Sequence, residues 1–531
     1  MRTQCPPCFR ISAVNAVILI ALLGSLISLE SAHAQGGSCP AQDRSPTWVA
    51  TENAKTGDAH WRDRVVVGWV GDGATIPLNR YTTNTFADAQ KKKTKKKPRK
   101  ERIQGWFDET SVSCGDSVGL HLSGRNRSAT VTLYRLGYYG GIGARKVWEI
   151  SLANVAPQES ATVTAAPERT VSTKWPVSVT LPITNQMPPG EYIARLDDGG
   201  PATFVPLLIK DESARSPLVL ISSVLTWQAY NHFGGYSLYK GAAQDHRTRS
   251  RVVSFDRPYD GNGAGQIFVH EFGVIKTAEK LGLDITYLTD LDVDAKPALL
   301  KEHTSIIFGG HAEYWTRSMR TGVVSARDSG TNIIVLGANT GYWKTRLQGS
   351  GREVAVWRDN LDPYRSDPLK VTNQWRSEPA AQPESEILGS AYAGLGVKAN
   401  YQVVRSSAWP IAGTTLKTGE IIKGVVGREV DSPDRDPGPG IQLMLSTNTR
   451  VRGRVERVGM TYYTTKSGSG VLNASSDGWV CAITNSCNWT RILKESSLQV
   501  EEITAQILKE SAKGPLGKLH PSEIDIPAAT R

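Results

Sequence analysis

The stretch IIFGGHAEYWTRSMRTGVVSARDSGTNIIVLGANTGYW, Ile306 to Trp343, contains two short apolar runs on either side of an amphipathic segment. The runs TSIIFGG and NIIVLGA are predicted to be buried strands, and YWTRSMRTGVVSARDSG between them is predicted to be a helix. Polar residues follow each run: His311 and Glu313 the first, and Asn339 the second. Ligand sites of parallel α/β sheets lie beyond the carboxyl ends of the strands, so these three side chains are candidate site residues.

The same pattern extends to both sides of this stretch. PLVLISS and LDITYLTD are further apolar runs with the helical pattern VHEFGVIKTAEKLG between them, which predicts a doubly wound parallel sheet. Closer to the N-terminus, SVGLHLSG, SATVTLYRLG, VSVTLPI and GEYIARLDD alternate with period two and predict an antiparallel, immunoglobulin-like β-sandwich. After the α/β pattern, GMTYYTTKSGSGVLNASSDGWVCAI is predicted to return to strands, followed by a last helix from about Thr490 to Glu510.

The first 34 residues resemble a secretion signal. Arg2 and Arg10 give a positive start, Ile11 to Leu29 is apolar, and Ala32-His33-Ala34 is a small-x-small cleavage site. We therefore expect a mature chain that begins at Gln35 and is periplasmic or secreted. The alternative is an uncleaved membrane anchor, because the apolar run is nearly long enough to span a bilayer.

The net charge of +11 is concentrated in one segment, KKKTKKKPRKER, Lys91 to Arg102. It holds nine basic residues and one acid, so it contributes +8 of that total. Such a run is predicted to be a solvated linker. The functional alternative is contact with an anionic lipid or polysaccharide surface. Nucleic acid is not expected as a partner, because the chain carries an export signal and no aromatic residues are interleaved in the run.

The cysteine count fits an oxidising compartment. Signal cleavage would leave four of the six cysteines: Cys39, Cys114, Cys481 and Cys487. An even number in an exported chain predicts disulfides, with Cys481 joined to Cys487 and Cys39 joined to Cys114. The spacing of these four cysteines matches no zinc-binding motif.

Two sequence patterns of nucleophilic enzymes occur without their required context. Gly115 to Gly119 matches G-x-S-x-G, but a strand pattern rather than a helix follows Ser117, which predicts a hairpin turn. The predicted sheet is of the glutamine-amidotransferase type, which carries a nucleophilic cysteine at the strand-to-helix turn. The corresponding turn is Gly309 to Glu313 and holds no cysteine, so covalent thiol chemistry is not expected.

Six motifs in order resemble one family, the proteins like the large (β) subunit of N,N-dimethylformamidase. The similarity extends from about Thr51 to Cys481. The motifs are TENAKTGDAHW (51–61), YRLGYYGGIGAR (134–145), LTWQAYNHFGGYSLY (225–239), VSFDRPY (253–259), GGHAEYW (309–315) and LGANTGYW (336–343).

The resemblance implies a mononuclear ferric iron held by two tyrosines and a glutamate. Glu313 matches the glutamate, Tyr230 matches one tyrosine, and the second is placed at Tyr239, with Tyr236 as a rival. His311 and Asn339 match residues needed for activity. Phenolate and carboxylate oxygens are hard anionic ligands that suit ferric iron, so the donor set is chemically consistent.

The sequence thus predicts an exported, iron-dependent amidohydrolase that acts on a small linear amide, with a small partner subunit or a homo-oligomer as its assembly. The alternative is a non-enzymatic surface or polysaccharide-binding protein whose α/β domain has lost its metal. The predicted regions are a signal peptide (1–34), a lead-in with the lysine-rich linker (35–102), the β-sandwich (103–215), the dimethylformamidase-like α/β domain (216–510) and a polar tail (511–531).

Overall fold

The computed structural model describes residues 45–65, 102–436, 438–487 and 489–528. The described residues all belong to one compact unit, and its mixed α/β class confirms the predicted class. The predicted signal peptide, Cys39 and nearly all of the lysine-rich run lie outside the described residues, so those predictions stay untested. No helix among the described residues is long and apolar enough to cross a membrane.

The first part of the described chain is built almost entirely of strands. Its elements are α1 (Trp48–Asn53), β1 (Gln104–Phe107), β2 (Ser111–Ser113), β3 (Ser117–Ser123), β4 (Arg127–Leu136), β5 (Ala144–Val155), β6 (Thr162–Val163), β7 (Val171–Ser172), β8 (Val177–Pro182), β9 (Gly190–Asp197) and β10 (Thr203–Lys210).

These strands form two larger sheets that share one apolar core. The sheet orders are β1-β3-β8 and β2-β10-β9-β4-β5, while β6 and β7 form a separate hairpin. Leu120 of the first sheet packs in the same cluster as Leu133 and Leu196 of the second. One pair departs from the antiparallel prediction, because β2 runs parallel to β10. The immunoglobulin-like winding stays a prediction.

The second part alternates strands with helices. Its strands are β11 (Leu218–Ser222), β12 (Val252–Ser254), β13 (Ile285–Thr289), β14 (Ser305–Phe308), β15 (Tyr314–Thr316), β16 (Asn332–Val335), β17 (Trp343–Gln348), β18 (Glu353–Ala355), β19 (Ala391–Val403), β20 (Ile421–Ser432), β21 (Gln442–Val451), β22 (Arg454–Thr464) and β23 (Gly470–Asn473). Its helices are α2 (Val224–Tyr230), α3 (Gly265–His270), α4 (Phe272–Lys280), α5 (Asp290–Ala295), α6 (Arg317–Asp328), α7 (Ser385–Leu388), α8 (Gly478–Ile483), α9 (Lys494–Lys513) and α10 (Leu516–Leu519).

A nine-stranded sheet in the order β13-β11-β14-β16-β23-β22-β21-β19-β20 forms the centre of this part. The five strands from β13 to β23 are parallel, and the remaining pairs are antiparallel. Helices cover both faces of the parallel half. Leu220 on one face packs in a cluster with Val274 of α4, and Ile221 on the other face packs in a cluster with Met319 of α6. Because helices bury both faces of these parallel strands, successive residues are apolar and the strands read as continuous apolar runs.

Two segments differ from the sequence prediction. Tyr314 to Thr316 was expected to begin a helix, but it forms β15, which pairs with β17. The Thr316 hydroxyl accepts a hydrogen bond from the Met319 amide at 3.1 Å, so it caps α6 and fixes the start of that helix after the strand. In the same way, Trp479 to Ile483 was expected to be strand and lies in α8.

The disulfide between Cys481 and Cys487 is present, as predicted. Cys481 lies in α8, and both cysteines are fully buried in the cluster that covers one face of the sheet. Cys114 is disulfide-bonded as well, but its pairing with Cys39 falls outside the described residues and stays a prediction.

Two of the family-like motifs have a structural role at the junction of the two parts. Arg135, from YRLGYYGGIGAR, is fully buried and donates two hydrogen bonds of 2.7 and 2.8 Å to Glu279 of α4. Glu52, from TENAKTGDAHW, accepts from the Tyr139 hydroxyl at 2.8 Å. The two motifs therefore join the lead-in, the strand-rich part and the α/β part through one buried polar network.

We expect Arg135→Met to lower the free energy of unfolding by about 3 to 5 kcal/mol, because it leaves the Glu279 carboxylate buried without its cation. Lys280→Met is the matched control, since Lys280 pairs with Glu501 at the surface and such pairs contribute about 0 to 1 kcal/mol. Denaturant unfolding of both variants checks this. Equal losses in the two variants would contradict a structural role for the buried pair.

Candidate functional site

The predicted site residues follow three neighbouring parallel strands. Tyr230 is the last residue of α2, which follows β11, and Tyr239 lies in the loop after it. His311 and Glu313 follow β14, and Asn339 follows β16. Because β11, β14 and β16 are adjacent in the sheet, their carboxyl ends bring these side chains to one edge.

Both predicted tyrosines donate hydrogen bonds to Glu313. The Tyr230 hydroxyl lies 2.8 Å from Oε2 of Glu313, and the Tyr239 hydroxyl lies 2.8 and 2.7 Å from Oε1 and Oε2. The two phenol rings stack with their centroids 4.5 Å apart. Two phenol oxygens and one carboxylate from distant parts of the chain therefore converge on one point.

Tyr236, the rival of Tyr239, is placed differently. Its backbone carbonyl accepts a hydrogen bond from Arg257 at 3.0 Å, and none of the hydrogen bonds found among the described residues joins its hydroxyl to Glu313. The geometry therefore favours Tyr239 as the second tyrosine of the cluster.

The local backbone explains how Glu313 reaches this position. A side chain on Gly309 would meet the carbonyl oxygen of His270 at 2.3 Å, so only glycine lets the chain pass this close after β14. Further along, the amide of Glu313 donates to the Thr226 hydroxyl of α2 at 3.1 Å. Glu313 precedes a strand and not a helix, so a simple helix N-terminal role does not account for it.

His311 lies between the tyrosine cluster and a second carboxylate. Its Nε2 is 3.1 Å from the Tyr230 hydroxyl, 3.4 Å from Glu313 and 3.9 Å from Glu429, and its Nδ1 is 3.3 Å from the carbonyl oxygen of Ala338. Burial alone would lower the pKa of His311, but the charges of Glu429 and Glu313 outweigh it and raise the pKa to about 9. The imidazole is therefore protonated at neutral pH.

The pKa values of the groups around His311 are shifted as well. Burial, reinforced by the charge of Glu313, raises the pKa of Tyr230 and of Tyr239 well above the usual range. Burial also acts to raise the pKa of Glu313, but His311 and Arg358 outweigh it and the pKa is lowered. The cluster thus consists of two neutral phenols that donate to a buried carboxylate anion.

Asn339 does not contact the tyrosine cluster directly. Its Nδ2 donates to Glu429 at 2.7 Å, and its backbone amide donates to Asp431 at 2.8 Å. Its Oδ1 is buried and has no hydrogen-bond partner among the described residues. Burial raises the pKa of Glu429 to about 7, because the effect of His311 offsets only part of it. Asn339 therefore holds Glu429 beside His311 and leaves one acceptor unused.

Sequence reasoning missed three residues of this site: Glu429, Tyr314 and Arg358. The Tyr314 hydroxyl lies 2.7 Å from the Tyr239 hydroxyl, and Arg358 donates a hydrogen bond to Tyr314. The Arg358 guanidinium also lies 4.5 Å from the Tyr239 ring centroid and 4.2 Å from that of Trp343. No signal in the sequence connects residues so far apart, although Tyr314 lies inside the GGHAEYW motif.

Two of these residues have unusual backbone conformations. Asn339 and Arg358 have φ angles of +58° and +60°, in the left-handed region that side chains other than glycine rarely adopt. Such conformations cost free energy and cluster at functional sites. Both residues donate hydrogen bonds to residues of the site, Asn339 to Glu429 and Arg358 to Tyr314, which supports the interpretation of this edge as a site.

The family model for N,N-dimethylformamidase beta subunit-like proteins, C-terminal, matches residues 130–489, more than half of the chain. The chain belongs to this N,N-dimethylformamidase beta subunit-like family. The match contains every residue of the site described above. A search of curated proteins finds no match to the chain.

The residues of this family member fit the ferric iron that the resemblance implies. Two phenol oxygens and a carboxylate meet within hydrogen-bond distance in a buried setting, and such oxygens are the ligands that ferric iron prefers. Across the described ranges, no group of three or more His, Cys, Asp and Glu side chains is arranged to hold a metal ion.

Proposed function

We propose that this chain is an exported, iron-dependent amidohydrolase that hydrolyses the C–N bond of a small linear amide. The convergence of Tyr230 and Tyr239 on Glu313 is the observation that carries this proposal. Membership of the dimethylformamidase-like family supports the reaction class.

Tyr230, Tyr239 and Glu313 would hold the iron, the two tyrosines as phenolates. When bound, ferric iron supplies Lewis acidity to polarise an amide carbonyl and activate water. The phenols are protonated without it, because burial and the Glu313 charge keep their pKa values high. Tyr230 and Tyr239 would release these protons to solvent when they bind a strong Lewis acid.

His311 would supply the proton that an amide nitrogen needs before it can leave. The ring is protonated at neutral pH, and its Nε2 points toward the cluster, with Nδ1 held by the Ala338 carbonyl. Burial raises the pKa of Glu429, 3.9 Å from the ring, to about 7, so it can take a proton from solvent and return it to the ring through one bridging water. Asn339 fixes the Glu429 carboxylate for this task.

Arg358 and Tyr314 would fix the orientation of the second tyrosine. The guanidinium donates to the Tyr314 hydroxyl and packs over the Tyr239 ring, and Tyr314 hydrogen-bonds Tyr239. This support leaves the Tyr239 oxygen little freedom. Supporting hydrogen bonds of this kind contribute about 10- to 100-fold to metal affinity in known sites.

The proposed partner, export and winding of the two parts rest on the sequence and on the family. The family name denotes a beta subunit, which supports a small partner subunit or a homo-oligomer. The signal-like start and the disulfides support export. The helix-covered parallel strands support a glutamine-amidotransferase-like winding, and the two sheets around one core support an immunoglobulin-like sandwich.

Hydrolysis of small amides by the purified mature chain tests the proposal. Iron-loaded protein should release free amine from N-methylformamide, and Glu313→Gln protein treated in the same way is the blank. Release by the parent at the rate of the blank, from every small amide tried, would contradict the proposal and favour the non-enzymatic alternative.

A further inference from the structure

Three aromatic rings in contact, those of Trp343, Tyr342 and Tyr392, form a wall between the guanidinium groups of Arg358 and Arg452. Arg358 packs over Trp343 at 4.2 Å from the ring centroid, and the Trp343 ring contacts Tyr342 with centroids 4.9 Å apart. Tyr342 in turn contacts Tyr392 at 5.0 Å. Tyr342 and Trp343 are half-buried, so this wall borders solvent.

Tyr392 connects this wall to the reacting groups. Tyr392 belongs to β19, where it pairs with Asp431 of β20. Asp431 accepts a hydrogen bond from the Asn339 amide at 2.8 Å, and the Asn339 side chain donates to Glu429 at 2.7 Å. The inner end of the wall is therefore linked through Asp431 and Asn339 to Glu429, the carboxylate beside His311.

Arg452 lies at the outer end of the wall. It is the first residue of the two-residue turn between β21 and β22, where Arg452 and Gly453 have φ angles of +48° and +85°. Its guanidinium lies 5.7 Å from the Tyr392 ring centroid. The side chain is exposed and forms no hydrogen bond or ion pair with any residue in the described ranges.

The other arginines near the site have partners. Arg376 pairs with Glu384 and Asp436, and Arg428 lies 3.8 Å from Asp477. Arg358 donates a hydrogen bond to the Tyr314 hydroxyl. Of the arginines described around the wall, Arg452 is thus the one whose charge is available to a ligand.

We propose that the site takes amides that carry a carboxylate, with Arg452 binding the carboxylate at the rim and the rings of Tyr342 and Tyr392 lining the path to the cluster. This inference rests on the proposed amidohydrolase function and names its substrate class. A carboxylate deep in the site would be repelled by Glu313 and Glu429, whereas one at the rim meets the unpaired guanidinium, which binds carboxylates in a bidentate manner.

Kinetics with matched substrates test the proposal. N-formyl-4-aminobutyrate carries the carboxylate, and N-butylformamide is a neutral analogue of similar length. We expect Arg452→Gln to raise KM for the charged substrate about tenfold, the effect of losing one charge-assisted contact, and to leave KM for the neutral one within about twofold. Arg452→Lys keeps the charge and should recover most of the difference. Arg454→Gln removes a charge from the same hairpin and should change neither KM.

Binding of butyrate provides a readout that does not depend on hydrolysis. Butyrate has the carboxylate and no amide, and calorimetry should detect it on the parent and on Arg454→Gln but not on Arg452→Gln. Equal KM changes for both substrates, or butyrate binding that survives Arg452→Gln, would overturn the inference while the amidohydrolase function stands. Butyrate binding that requires Arg452 in a protein that hydrolyses nothing would support the anion site and contradict the proposed reaction instead.

Discussion

Glu313→Gln should remove iron binding from this protein while the fold survives. Glutamine keeps the shape of the side chain and can still accept from the two tyrosine hydroxyls, but it lacks the anionic charge that a ferric ion needs. Loss of a direct ligand should exceed the about 10- to 100-fold loss in metal affinity that outer partners cause. Metal analysis and thermal unfolding of the same preparation check both halves of this expectation.

Glu191→Gln is the matched control for that variant. Glu191 is also buried and hydrogen-bonded, to Ser222, but it lies outside the tyrosine cluster, and burial raises the pKa of its carboxyl well above the usual range. Its replacement should leave iron content unchanged.

Tyr230→Phe and Tyr239→Phe should each lower iron content and weaken the visible phenolate-to-iron absorption. Full iron occupancy in Glu313→Gln would show that the metal binds elsewhere.

His311→Gln should lower kcat by about 10²- to 10⁴-fold, the usual contribution of a general acid or base, and retain the iron. The ring carries a proton below its pKa of about 9, and glutamine carries no transferable proton at any pH in that range. Steady-state kinetics at neutral pH, with iron quantified in the same samples, separate loss of the proton from loss of the metal.

His303→Gln controls for removal of a buried histidine. His303 is buried in the same α/β part, and its Nδ1 contacts the Ser216 carbonyl at 2.7 Å, away from the cluster. Its replacement should leave kcat within about twofold, as expected for a group with no role in proton transfer. Unchanged kcat in His311→Gln would contradict the assigned role, and parallel loss of iron and kcat would reassign His311 to metal binding.

The sequence predicted the parallel half of the sheet because it rests on local signals. Apolar runs mark β11, β14 and β16, and polar residues directly after them, such as Glu313 and Asn339, lie at the same sheet edge for geometric reasons. The two tyrosines came from the family resemblance, and their hydroxyls do meet Glu313.

The remaining site residues depend on long-range packing that no local pattern encodes. β19 (AYAGLGVKANYQV) interrupts its apolar positions with glycines and a lysine, and β20 and β21, which follow it, were not predicted. Glu429 comes from β20 in this region and was missed with it. Arg358 lies in a loop, and its position over Tyr239 follows only from the packing of β17 and β18.

Iron titration of the purified mature chain, followed by visible absorption, tests the central claim most directly. The account predicts saturation at about one ferric ion per chain, with a phenolate-to-iron band that grows in proportion and is absent from Glu313→Gln, since only a bound Lewis acid would deprotonate these buried phenols at neutral pH. A parent chain that stays colourless and binds no iron more tightly than Glu313→Gln would contradict it.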